Sequence, residues 1–302
     1  MSSIDSKSSL DHNNKKKEVL LIKIIAMLSL VRWYNILLMV IALYLSSVYI
    51  LNPKVAKLEL LKDLQLHLNV FAIAALLMAG YIINSFYDFE KDMINHPEKT
   101  VFGRVISKSS CLNTYIILLL IGFVLSAFID WKVFIFNVGF YFSLWVYSHK
   151  LRKKALTGEM GASLLTIAPF ASISLYYMHT NSTIILFVGY IFAITFTREV
   201  VKKMVSLKGD LLVNEKSIPI LFGIRNTKYI ILILMLLSIC PIVVIFPEII
   251  NKQIAYYFGF SLLMIILSIL LLKNSKTPTH FNKINNIYKI ILVLAIASII
   301  LY

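Results

Sequence analysis

Two cysteines in 302 residues, Cys111 and Cys240, exclude a disulfide framework, and neither stands at metal-ligand spacing, so no zinc site is implied. Acids are scarce as well: 15 Asp and Glu stand against 30 Lys and Arg, for a formal net charge of +15. Charged residues of both signs make up only 15% of the chain, which excludes an ordinary soluble domain of this size. No P-loop, Rossmann or GxSxG signature occurs, which argues against the common nucleotide-binding and hydrolase chemistries. Residues 1 to 18, MSSIDSKSSLDHNNKKKE, lack the apolar core and small-residue cleavage site of a signal peptide. They read as a disordered basic tail ahead of one domain over 19–302.

What is present is apolar length. The chain is 59% hydrophobic with a mean hydropathy of +0.81. Apolar runs recur near 35–51, 68–87, 112–128, 133–147, 161–178, 183–196, 229–246, 256–272 and 287–302. They predict an all-α, polytopic membrane protein with nine spans. Several runs fall short of the roughly 20 residues a straight crossing needs, so tilt or extension into charged flanks must supply the rest. If all nine cross, 25 of the 30 Lys and Arg residues share one side, and only Lys54, Lys57, Lys62, Lys132 and Lys252 lie opposite. Positive residues mark the cytoplasmic face, so the N-terminus and the loops after spans two, four, six and eight are expected there, in an inner or plasma membrane. The charge excess is thereby topological. No soluble basic domain remains to suggest a nucleic-acid partner.

The chemistry-bearing residues gather in the loops after spans two and six. In NSFYDFEKD, Asn84, Asp88 and Asp92 recur every four residues, forming one stripe on a continued helix. A carboxylate at mid-bilayer costs at least about 2.5 kcal/mol, so this stripe must meet water, a partner or a metal. Magnesium takes one or two carboxylates and completes its shell with water and phosphate oxygens, which suits a diphosphate site. The competing reading is a solvated helix end paired with Lys91 and Lys99.

The stretch NSFYDFEKDMINHPEKTVFGRVIS, residues 84–107, resembles the first aspartate-rich motif of the UbiA-type intramembrane prenyltransferases. The matching positions are Asn84, Asp88 and Asp92, then Ile94, Asn95 and Pro97, then Gly103, Ile106 and Ser107. RWYN at 32–35 resembles that family's entry to its first helix, and YSHKLRK at 147–153 its Tyr-Ser basic loop. REVVKKMVSLKGD at 198–210, with KSIPILFG at 216–223, resembles its second aspartate-rich motif. The resemblance covers about residues 30 to 230, and its wording is most similar to the geranylgeranylglyceryl-phosphate geranylgeranyltransferase branch.

It implies helices around a central cavity, capped by two cytoplasmic loops whose acids hold Mg²⁺, and transfer of a polyprenyl group from an allylic diphosphate to a lipophilic acceptor. Asn84, Asp88, Asp92, Arg198, Lys202, Lys203 and Asp210 are the implied catalytic set, with Asn84, Asp88, Asp92 and Asp210 at the metal. Arg32, Asn35, Arg104, Tyr147, Lys150 and Arg152 are the implied substrate-binding set. An isoprenoid glyceryl phosphate suits the basic cluster of Lys150, Arg152, Lys153 and Lys154; an aromatic quinone-type acceptor, or a lipid-binding role without catalysis, are the alternatives. The second motif departs from the family pattern. Lys203 and Ser206 stand where acids are usual, which implies either one metal with Lys203 on the diphosphate, or lost activity.

Overall fold

A computed structural model describes residues 17, 18, 20–95, 103, 105–178 and 182–302, apart from the side chains of Lys91, Asp92, Asn95, Ser182 and Thr183. The expected tail over 1–18 therefore lies outside the described residues, save Lys17 and Glu18. Arg104 and the side chain of Asp92 lie outside them as well.

The described chain is helical throughout, with one isolated parallel bridge between Lys154 and Lys216. An apolar helix α1 (Leu20–Leu30) ends at Arg32, whose φ of 53° turns the chain into α2 (Trp33–Leu45) and a π-helical extension, Ser46–Leu51. The short α3 (Lys57–Leu60) leads to α4 (Leu64–Asn95). At 1.5 Å per residue the 32 residues of α4 span about 48 Å, well beyond a hydrocarbon core of about 30 Å. Its C-terminal turns therefore carry the first motif past the apolar layer as unbroken helix.

The remaining elements are α5 (Lys108–Ala127), α6 (Trp131–His149), a 3₁₀ turn Leu151–Lys153, α7 (Thr157–Tyr177), α8 (Ser182–Val205) and α9 (Leu207–Leu212). They continue as α10 (Ile218–Leu237), α11 (Cys240–Ile249), α12 (Ile254–Asn274) and α13 (Pro278–Ser298). Among the described residues eight helical segments are long and apolar enough to cross a membrane, and this is an integral membrane protein. The segment expected as a further span is α6, 19 residues long but diluted by Lys132, Asn137 and His149. It packs between α4 and α7. Within α10, Gly223 adopts φ 76°, a conformation that favours glycine, and divides the first turn from the long remainder.

Two features fix the bundle. Around α8, Tyr190 is buried with its hydroxyl 2.8 Å from that of Tyr257, beside Phe258, Ile231 and Tyr288. Between α4, α5, α6 and α7, Asn137 Nδ2 donates to Ser126 Oγ at 3.0 Å and to Asn69 Oδ1 at 3.4 Å. Ser172 Oγ lies 3.1 Å from Asn69 Oδ1 and 2.9 Å from Asn137 Oδ1. Lipid offers such groups no partners, so this closed network sets the register of the four helices. Where α4 begins, Asp63 caps it by accepting from the Gln65 amide at 3.0 Å and takes the Tyr176 hydroxyl at 2.7 Å; Asp130 likewise caps α6. Acids at that end are structural.

Candidate active site

At the other end of α4 the acids serve differently. Asn84 and Asp88, one turn apart, face the same way, and Asn84 Nδ2 donates to Asp88 Oδ2 at 2.9 Å. Arg152, in the 3₁₀ turn between α6 and α7, closes the group: its guanidinium donates to Asn84 Oδ1 at 3.2 Å and forms an ion pair with Asp88 Oδ1. Both partners are nearly withdrawn from solvent, the Arg152 side chain 14% and the Asp88 side chain 7% exposed. Burial lowers the Arg152 pKa to about 10, while Glu215, Asp210 and Glu199 pull it upward. Those three acids belong to the second motif region, so the two halves share one electrostatic site.

The backbone explains how they meet. Lys216 N–H donates to Lys153 O at 3.2 Å, stitching the segment after α9 to the turn that carries Arg152. Helix α4 also packs against α9. Ser107 caps α5 by accepting from the Ser110 amide at 3.1 Å, and Gly103 adopts φ 74°, so this part of the first motif shapes the return of the chain.

In the second half, Lys203 extends from α8 between two acids: Nζ lies 3.3 Å from Glu215 Oε2 and 3.7 Å from Asp210 Oδ2. Ser206 Oγ donates to Asp210 Oδ1 at 3.2 Å. Asp210 is completely buried, and the Lys203 side chain is only 13% exposed. Arg198 and Lys202 flank Glu199 at 3.5 and 2.9 Å, with Lys202 half exposed. Arg32 sits over the Tyr81 ring at 5.2 Å, and Asn35 reaches the same tyrosine. Lys150 is exposed and makes no described contact with this cluster.

Two acids here escaped the sequence reading. Glu215 lies one residue before the KSIPILFG stretch, five residues past Asp210, and only folding returns it to Lys203. Glu159 is buried in the first turn of α7, where a carboxylate favours the helix N-terminus, and neither of its oxygens has a hydrogen-bond partner among the described residues. An acid three residues into a helix was the available signal for it.

The turn bearing Arg152 is held tightly. A Cβ at Gly158 would stand 2.8 Å from Arg152 O, a backbone atom that cannot rotate away. Gly158→Ala is expected to destabilise the protein by about 1–3 kcal/mol, as overpacking does, and to displace Arg152. Thermal unfolding in detergent checks this; an unchanged melting temperature would show that the turn has slack.

An apolar cavity of about 490 Å³ lies between α6 and α7, lined by Phe136, Phe140, Tyr147, Leu151, Leu164 and Leu165 among others. Tyr147, next to the Arg152 turn, is one of its polar lining residues with Ser143, and Gly161 allows the Tyr147 ring to approach α7.

The oxygen donors of Asn84 and Asp88 suit a hard cation. Among the described residues no three acidic, His or Cys side chains form a ready cage, but Mg²⁺ needs only one or two carboxylates when a phosphate completes the shell. The second half fits a metal poorly. A divalent ion about 4 Å from the Lys203 ammonium is repelled by about 8 kcal/mol at an effective dielectric of about 20.

The structure is similar to one described as digeranylgeranylglyceryl phosphate synthase in membranes, with a TM-score of 0.68 and 22% identity, covering 92% of this chain and 98% of that one. A UbiA homolog from Archaeoglobus fulgidus bound to DMAPP and Mg²⁺ aligns with a TM-score of 0.67 and 17% identity over 91% of this chain and 97% of that one. In sequence, digeranylgeranylglyceryl phosphate synthase of Sulfurisphaera tokodaii is 27% identical over 243 residues, 80% of this chain and 82% of its own length. That of Korarchaeum cryptofilum is 28% identical over 229 residues, 74% and 81% respectively. A model of the UbiA prenyltransferase family matches residues 55–290, and the chain belongs to that family.

Proposed function

We propose that the protein transfers a polyprenyl group from an allylic diphosphate to the hydroxyl of an isoprenoid glyceryl phosphate. The observation that carries this reading is a shared turn: Leu151, which lines the apolar cavity between α6 and α7 with Tyr147, immediately precedes the Arg152 that holds Asn84 and Asp88. An isoprenoid chain and its diphosphate need such a junction. The volume, about 490 Å³, falls in the usual range for small-molecule sites. The synthase names of the sequence relatives support the glyceryl phosphate acceptor over an aromatic one.

Asn84, Asp88 and Asp92 would hold Mg²⁺, which supplies charge stabilisation to the departing diphosphate. Arg152 exchanges Asp88 for diphosphate oxygens, which its planar fork matches in pairs. Arg198, Lys202 and Arg32 add positive charge along the same rim, and the apolar cavity walls keep water from the allylic cation. Tyr147 at the cavity mouth offers an electron-rich face to that cation. With 25 of 30 Lys and Arg residues on the motif side, this rim faces the cytoplasm, where soluble diphosphates are available.

The test is transfer from labelled C10, C15 and C20 allylic diphosphates in membranes containing the protein, with a glyceryl phosphate ether or an aromatic acid as acceptor, with and without Mg²⁺. Mg²⁺-dependent product on the glyceryl phosphate is expected. Product only on the aromatic acceptor, or none on either, rejects the reading.

A further inference from the structure

We infer that Lys203 is a built-in counter-cation that takes the place of a second metal ion, so that Asp210 and Glu215 bind no divalent cation in this protein. The inference rests on the proposed diphosphate site only in calling that metal the second.

Three observations carry it. The Lys203 ammonium lies between Glu215 Oε2 at 3.3 Å and Asp210 Oδ2 at 3.7 Å, the volume a bridging cation would need. The other Asp210 oxygen is also committed, to the Ser206 hydroxyl at 3.2 Å, so a metal would have to break both contacts. All three charged groups are buried or nearly so, which distinguishes the cluster from a solvated surface pair whose partners exchange freely. Asp210 and Glu215 are further tied by the backbone, Glu215 N–H to Asp210 O at 2.9 Å, which fixes the acid pair around the ammonium.

The first motif also meets a cation, Arg152, but the arrangement differs. Arg152 comes from a separate turn and engages Asp88 and Asn84 along one edge, and it is a group suited to follow a phosphate. Lys203 springs from the motif helix itself and is enclosed by its acids. Its charge is therefore spent on Asp210 and Glu215. The direct contact between Lys203 and the diphosphate, expected from sequence, gives way to a neutralising role, and Arg198 and Lys202 are left to face the ligand on this side.

The test counts bound Mn²⁺ by electron paramagnetic resonance on the full chain purified in detergent, with no prenyl ligand, in an Asp88→Asn background that disables the first motif. Asp88→Asn alone is expected to bind no Mn²⁺. Asp88→Asn with Lys203→Met is expected to gain one site per chain, with a rise in melting temperature on adding Mn²⁺, and Asp88→Asn with Lys203→Arg to gain none. A Mn²⁺ site in Asp88→Asn that disappears on adding Asp210→Asn overturns the inference, as does a folded Lys203→Met double variant that binds none. If that double variant does not fold, the Asp88→Asn protein decides, because its second motif is intact. Prenyl transfer is not the readout, so failure of the proposed reaction would leave these counts standing.

Discussion

Asp88→Asn is expected to reduce prenyl transfer by about 10²–10³-fold or more, the scale seen when a group stabilising transition-state charge is removed. The amide preserves shape and a hydrogen bond to Asn84, so the loss reports charge. Two consequences coincide: the carboxylate that would hold Mg²⁺ is gone, and Arg152, whose side chain is 14% exposed, loses its anionic partner. Removing one member of a buried pair commonly costs about 3–5 kcal/mol. Arg152 is near a turn and recovers part of that by reaching solvent. Turnover as a function of Mg²⁺ checks the first effect, and thermal unfolding separates it from the second. Near-normal turnover with unchanged Mg²⁺ dependence would remove Asp88 from the site.

Arg152→Ala carries the second large effect. The substitution leaves Asp88 buried with no cation beside it and strips the diphosphate of a two-pronged donor, so donor affinity is expected to fall by about 10²-fold, seen mainly in KM. Arg152→Lys restores charge but not the fork that spans Asn84 and Asp88, and is expected to recover only part of the loss. Burial lowers the Arg152 pKa to about 10, so donor binding is expected to weaken as pH rises toward that value. Arg152→Ala should lose the share of this alkaline limb that Arg152 carries, leaving that of Lys202 on the same rim. Donor titrations from about pH 7.5 to about pH 10.5, which bracket that pKa, make the comparison. Equal alkaline behaviour in both proteins would assign the limb elsewhere.

The sequence by itself determined the class of the protein. Hydropathy placed eight of the nine expected spans on helices long and apolar enough to cross, because lipid cannot satisfy a bare backbone and that constraint can be read one segment at a time. It also determined the first motif: Asn84 and Asp88 are one turn apart on an uninterrupted helix, so their shared face follows from helical period alone. Lys203 stood out in the sequence as the departure in the second motif, which left open either one metal with that ammonium on the diphosphate or lost activity. Only the tertiary structure joined Arg152 to Asp88 across 64 positions and enclosed Lys203 between Asp210 and Glu215. No periodicity links a 3₁₀ turn to a helix two spans earlier; the bridge from Lys153 to Lys216 and the packing of α9 on α4 do so. Glu159 and Glu215 became visible for the same reason. A carboxylate in a loop reads as solvated until packing removes the water, and burial is a property of neighbours distant in the chain.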